Sequence, residues 1–197
     1  MLAVKLKQEA LLEPLLRWLR LRRVIAEIPE NAIVLDVGCG RTAAFLKAIA
    51  PQIQQGYEVD FKVAEFQTHN LKAIQVHLGE ELPFDAASFD VVTMLAVLEH
   101  IEHEQAILKE IYRVLKPGGK LVLTVLSVWA QPVLEFLSYR LKIVDEAEIR
   151  DHKRYYDRQR LRQTLTRSAQ FGQFRHLYFQ FWMNNFCTVT KGIAARG

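Results

Sequence analysis

Short apolar runs alternate along this chain with stretches whose apolar residues recur at helical spacing. Ala32–Val37 is continuous and β-rich, bounded by Pro29-Glu30-Asn31 before it and glycines after it, which predicts a buried strand. Arg41–Ala50 then places Phe45, Leu46 and Ile49 on one helical face, and Pro51 stops it. Gln55–Val59 reads as a second strand and roughly Phe61–His69 as a helix. Ala73–His77 and Phe89–Leu95 read as a third and a fourth strand. Glu104–Leu115 repeats Ile107, Leu108, Ile111, Val114 and Leu115 at helical spacing, and Lys116-Pro117-Gly118-Gly119 ends it. Leu121–Leu126 is the fifth strand. A helix near Arg158–Ala169 precedes two last strands, about Phe174–Phe179 and Asn185–Thr190, with too little chain between them for anything but an antiparallel hairpin.

Alternating β and α elements imply right-handed crossovers and a parallel sheet covered by helices on both faces. The expected fold is α/β: a Rossmann-like three-layer sandwich around a seven-stranded, mostly parallel sheet whose last strand is antiparallel. Its 197 residues suit a single domain. Within it, residues 1–30 read as an N-terminal helical extension and 127–157 as a variable insertion. In open sheets of this kind ligands bind beyond the carboxyl ends of the strands, where the strand order reverses. The chemistry is therefore expected in the loops after the strands.

The loop after the first strand reads Val34-Leu35-Asp36-Val37-Gly38-Cys39-Gly40. Glycines there let a ligand approach the backbone and the N-terminus of the next helix. Glu58 lies 20 residues beyond Gly38, at the end of the second strand, where a carboxylate can accept both hydrogen bonds of a ribose diol. By spacing alone this is a generic nucleoside-binding βαβ unit. Gly38, Gly40 and Ala43 also satisfy G-x-G-x-x-G/A, so a nicotinamide dinucleotide stays in contention.

Five stretches narrow that choice: VLDVGCG (34–40), GYEVD (56–60), ELPFDAASFDVV (81–92), VLEH (97–100) and ILKEIYRVLKPGGKLVLTV (107–125). In order and spacing they resemble the class I methyltransferases, especially the methyltransferase type 11 group, over about the first two thirds of the chain. The resemblance implies S-adenosyl-L-methionine as cofactor. It implies cofactor contacts from Asp36, Gly38, Cys39, Gly40, Glu58, Val59, Gly79, Glu80, Leu95 and Ala96. Asp36 would organise the loop and Glu58 would hold the ribose. Leu95 and Ala96 would floor the site near the sulfonium, while Asp60 would cap the next helix. Two positions depart from the family pattern. Thr42 stands where a third glycine is usual, and Leu78 stands at an acid that reads adenine, which leaves that task to Gly79 or Glu80.

Methyl transfer from a sulfonium asks the protein to align donor and acceptor and exclude water, with a base only for a protonated nucleophile. Candidate acceptor-side groups are His100, His152 and Tyr156; Arg150, Lys153 and Arg154 suit an anionic acceptor. His100 and His103 have no third partner at metal-ligand spacing, so no metal is expected.

The net charge of +4 is unevenly spread. Residues 1–28 hold six Lys/Arg against three acids, and residues 150–176 hold eight against two. In the first of these segments Leu11, Leu12, Leu15, Leu16, Trp18 and Leu19 lie among Arg17, Arg20, Arg22 and Arg23, as in a lid helix or one that rests on a membrane surface. The first residues do not read as a signal peptide, and Cys39 and Cys187 fit no disulfide framework, so a cytoplasmic location is expected. The acceptor expected is a small molecule, a glycan or a lipid-linked compound. A non-catalytic cofactor-binding protein is the alternative, and an RNA methyltransferase the more distant one. A DNA substrate is not expected: Leu95-Ala96-Val97-Leu98 replaces the Asn/Asp-Pro-Pro-aromatic segment of amino-group enzymes, and no Pro-Cys nucleophile is present.

Overall fold

A computed structural model of the chain describes residues 13–78, 81–133 and 153–193. Helix α1 (Glu13–Ile25) leads into β1 (Ile33–Val37), α2 (Ala44–Ile49), β2 (Gln55–Asp60), β3 (Phe66–Gln67), β4 (Leu71–Gln75) and β5 (Phe89–Leu95). Helix α3 (Glu104–Val114), β6 (Leu115–Leu126), α4 (Arg158–Ser168), β7 (Phe171–Phe179) and β8 (Asn184–Lys191) follow. The strands form one sheet in the order β3-β4-β2-β1-β5-β6-β8-β7. Strands β4, β2, β1, β5 and β6 run parallel, and β8 lies antiparallel to both β6 and β7. The expected α/β sandwich is therefore present, with one short edge strand, β3, beyond the seven anticipated.

That extra strand replaces the helix expected over Phe61–His69. Asp60 Oδ1 accepts the Lys62 amide at 2.7 Å, and the Gln75 side-chain amide donates to the Phe61 carbonyl at 2.8 Å. The second of these bonds occupies a carbonyl that a helix would need for its first turn. Val63 drops into a small cluster with Ala43 and Ala73, and Phe66 pairs with Ala73 across the β3–β4 edge.

Two cores flank the sheet. One packs Leu108, Ile111, Leu161 and Leu165 of α3 and α4 against Leu121, Leu123 and Val92. The other packs Val24 of α1 and Leu46 and Ile49 of α2 against Val34, Val91 and Val122. Central strands covered on both faces are largely apolar, which explains why β1, β5 and β6 read as near-continuous runs in the sequence, with buried polar residues such as Asp36 and Thr93 among them. The last helical turn of α3 is closed from a distance. The Lys191 ammonium donates to the carbonyls of Tyr112 and Leu115, both at 2.7 Å, and of Arg113 at 3.3 Å. A cation there meets the negative end of the helix dipole.

The chain reverses direction across the sheet at β1, whose neighbours are β2 and β5. The loops after these three strands meet at the carboxyl edge. Among the described residues no helix is long and apolar enough to cross a membrane.

Candidate functional site

At that edge lies a cleft of about 470 Å³, within the range of small-molecule sites. Gly38 and Gly40 enter it from the loop after β1, and Asp60, Phe61 and Lys62 from the end of β2. Leu78, Ala96, Val97, His100 and Lys153 complete most of its wall. A larger hollow, about 640 Å³, opens at the opposite edge, beside Ile33 and Phe89 where β1 and β5 begin. It has no glycine loop and no convergent strand ends, so size alone does not locate the site.

The loop is held in shape by backbone and carboxylate. Gly38 N–H donates to the Val59 carbonyl at 2.8 Å, and Gly40 N–H donates to Asp60 Oδ2 at 2.9 Å. Gly38 has φ +83°, and a Cβ there would stand 2.4 Å from Val97. Only glycine lets these two loops approach so closely. Gly40 has φ +69°, and a Cβ there would meet nothing within 4 Å. Gly40 lines the cleft, and the open space beside it leaves a cradle for a ligand. Thr42, at the position of the usual third glycine, is exposed, and the left-handed conformation falls on the next residue, Ala43 (φ +48°), at the start of α2.

The acids divide differently from the sequence expectation. Asp36 is buried and bonds Thr93 at 2.6 Å, with no bond to the glycine loop among its described contacts. Glu58 sits beside it in register, fully buried, with neither carboxylate oxygen hydrogen-bonded. Burial pushes both carboxyls up to about 7, and a neighbouring acid adds to each shift: Asp60 for Asp36, Asp36 for Glu58. Glu58, expected at the ribose, is thus buried in the sheet and is not among the residues that line the cleft. Strand β2 extends one residue further than its apolar pattern implies. Asp60 then reaches the cleft and organises the glycine loop, the role expected of Asp36, and no helix follows for it to cap.

Other expected residues separate in the same way. Ala96 lines the cleft in a left-handed conformation (φ +58°), whereas the side chain of Leu95 packs into the core beneath α1. Val59 is buried and offers its carbonyl to the loop. The Cys39 side chain turns toward Ala43, Val63 and Ala73, and burial pushes its thiol up, which makes it an inert packing group. His100 lines the cleft as expected.

Tyr156 does not. Its ring is fully buried beneath the Arg160 guanidinium, its hydroxyl donates to Glu104, and its backbone bonds Val128 and Leu126. Burial and the Glu104 carboxylate push its phenol up, and the residue expected on the acceptor side is packed outside the lining of the cleft. Gly79, Glu80, Arg150, His152 and most of the 127–157 insertion lie outside the described residues.

The mouth of the cleft is shaped by residues that sequence reasoning treated only in passing. The Lys153 amide donates to the Glu99 carbonyl at 2.9 Å, which brings its side chain to the cleft within 3.3 Å of Glu102. Arg154 donates to the carbonyls of Ile101 and Glu102, so its guanidinium ties the segment down instead of meeting an anion. Glu99 is buried, accepts the Leu126 amide at 3.4 Å, and is held above the usual carboxylate range by its burial.

Residues 35–123 match the methyltransferase domain family. No curated protein matches the sequence. The fold is similar to a chain of the Haloferax volcanii complex that contains the Trm112 methyltransferase activator (TM-score 0.71, 16% identity, covering 89% of this chain and 90% of that one). It is also similar to a SAM-dependent methyltransferase from Methanosarcina mazei (TM-score 0.60, 19% identity, 87% and 97% covered). A third similar structure is a Haemonchus contortus phosphoethanolamine N-methyltransferase in complex with phosphomonomethylethanolamine and S-adenosylhomocysteine (TM-score 0.65, 15% identity, 89% and 53% covered).

Proposed function

We propose that the chain is a class I, methyltransferase type 11-like protein that uses S-adenosylmethionine and methylates a small-molecule, glycan or lipid-linked acceptor at the carboxyl-edge cleft. The observation that carries this reading is the pairing of an open glycine cradle at Gly40 with a carboxylate, Asp60, at the end of the adjacent strand.

The residues fit such a cofactor. Each Asp60 oxygen accepts one backbone amide, which leaves lone pairs on both for a ribose diol. Leu78 offers an apolar wall for a flat base in place of a carboxylate. Ala96 and Val97, facing Gly38, would border the reactive end of the bound cofactor. The cofactor supplies an electrophilic methyl group on a good leaving group. The chain's task is then to hold donor and acceptor in line and keep water out. His100 stands where it could take a proton from a hydroxyl or amine acceptor, and Lys153 where it could attract a phosphate or carboxylate on it.

Incubation of the protein with S-[methyl-³H]adenosylmethionine and a panel of hydroxyl, amine and phosphate-bearing acceptors tests this reading. Acceptor-dependent transfer of label that falls in His100→Ala is expected. Tight cofactor binding with no transfer to any acceptor class would instead favour a non-catalytic cofactor-binding role.

A further inference from the structure

The chain has three tryptophans, and all are exposed: Trp18 by 53%, Trp129 by 61% and Trp182 by 66%. Tryptophan is normally among the more buried residues of a soluble protein. Two of these three are joined at the carboxyl edge. Ser127 Oγ bonds the Trp182 carbonyl and also accepts the Trp129 amide, which brings the end of β6 against the β7–β8 turn. Phe181, next to Trp182, is 92% exposed.

That turn is built at a cost. Gln180, Phe181 and Trp182 have φ of +52°, +57° and +63°, and Met183 N–H closes on the Gln180 carbonyl at 3.1 Å. A two-residue hairpin turn with both central φ positive ordinarily uses Asn-Gly. A bulky L-residue there costs about 1–2 kcal/mol. Phe-Trp in this turn thus spends stability to hold two large apolar side chains in water. Such strain points to a use for them.

A cationic group, Arg23, adjoins the patch, and Arg22 is its neighbour in the chain. The Arg23 guanidinium of α1 lies 5.7 Å over the ring of Phe179, where the turn begins, and Arg22 lies 5.4 Å over Trp18. Exposed aromatic rings beside arginines match the headgroup region of an anionic bilayer, where the rings enter the boundary and the cations meet lipid phosphates. With no described helix able to span a bilayer, the contact would be peripheral.

We propose that the rim formed by Trp129, Phe181 and Trp182, with Arg22 and Arg23 of α1, docks the protein on an anionic phospholipid surface. The hairpin tip and the cleft both lie at the carboxyl edge, because Asn184 pairs with Leu126 at the end of β6. The docked protein would therefore present its cleft side to the membrane. The inference rests on this surface alone, so it stands or falls separately from the acceptor's identity.

Flotation of the full chain with phosphatidylcholine vesicles, with and without a quarter of phosphatidylglycerol, tests it. The expected result is binding to the anionic vesicles, weakened by high salt, with a blue shift of tryptophan emission. Phe181→Asn/Trp182→Asn keeps a turn that asparagine accepts, and should lower binding about tenfold with a melting temperature at or above that of the parent. Arg22→Glu/Arg23→Glu should lower it comparably, and its loss should disappear on neutral vesicles. Three outcomes would overturn the proposal: no binding to either vesicle, equal binding by the Asn/Asn variant, or a concentration-dependent dimer that the Asn/Asn variant abolishes. The last would make this rim a contact between two copies of the chain.

Discussion

Asp60 Oδ2 accepts the amide of Gly40 at 2.9 Å, which joins the end of β2 to the glycine loop that follows β1. The same carboxylate turns the chain at Lys62. One side chain therefore fixes the shape of the cradle and presents its remaining lone pairs to whatever fills it. The two glycines of the cradle are unlike each other for a related reason: one faces protein and the other faces open space.

Gly38→Ala should cost stability, because its methyl would meet Val97 at 2.4 Å in a backbone region L-residues avoid. A loss of about 2–4 kcal/mol in urea unfolding is expected. Gly40→Ala meets no atom and should cost about 1–2 kcal/mol, the price of its positive φ alone. Its larger effect should be on cofactor affinity, read by calorimetry, since Gly40 lines the cleft. Equal unfolding midpoints for the two variants would contradict this division.

The Asp36–Glu58 pair should make stability depend on pH in the direction opposite to a salt bridge. Both carboxyls are raised from the usual 3.8 and 4.5 to about 7 in the fold, so the folded state holds protons that the unfolded chain releases. The stabilisation is complete below pH 4 and is lost as pH rises through 7. Glu58→Gln should flatten the decline between pH 5 and pH 8 by roughly 2–3 kcal/mol. Urea midpoints at the two pH values measure it, and parallel curves for variant and parent would exclude the pair as the cause.

Tyr156→Phe removes a buried hydroxyl that donates to Glu104 and leaves the cleft untouched. Unfolding free energy should fall by about 1–2 kcal/mol. Once an acceptor is known, kcat should be unchanged. A large loss of kcat at full stability would return this tyrosine to the acceptor side.

Much of this arrangement was legible in the sequence. Strand β5 agrees with its apolar run end for end, because a strand buried on both faces has no pattern but continuity. The glycine loop was legible because positive φ and close approach leave few residue choices. The acids were harder to read. Glu58 and Asp60 share one face of β2, and the apolar run ends at Val59, so nothing in the pattern shows that the strand continues to Asp60. The stretch after Asp60 resembled a helix by composition, yet the Phe61 carbonyl is taken by the side chain of Gln75, a partner that only the folded sheet brings near. Tyr156 invited a functional reading for its polar neighbours. Its burial depends on Glu104, 52 residues away.

The central claim is that the cleft between Gly40 and Asp60 holds S-adenosylmethionine, with Asp60 and not Glu58 at the ribose. Calorimetric titration of S-adenosylhomocysteine, with NADH in parallel, into the parent, Asp60→Asn and Glu58→Gln proteins tests it, with melting curves to confirm folding. The expected result is binding of S-adenosylhomocysteine alone, weakened at least about tenfold by Asp60→Asn, as for loss of a charge-assisted hydrogen bond, and little changed by Glu58→Gln. Loss of binding in Glu58→Gln with full affinity in a folded Asp60→Asn would contradict the site described here.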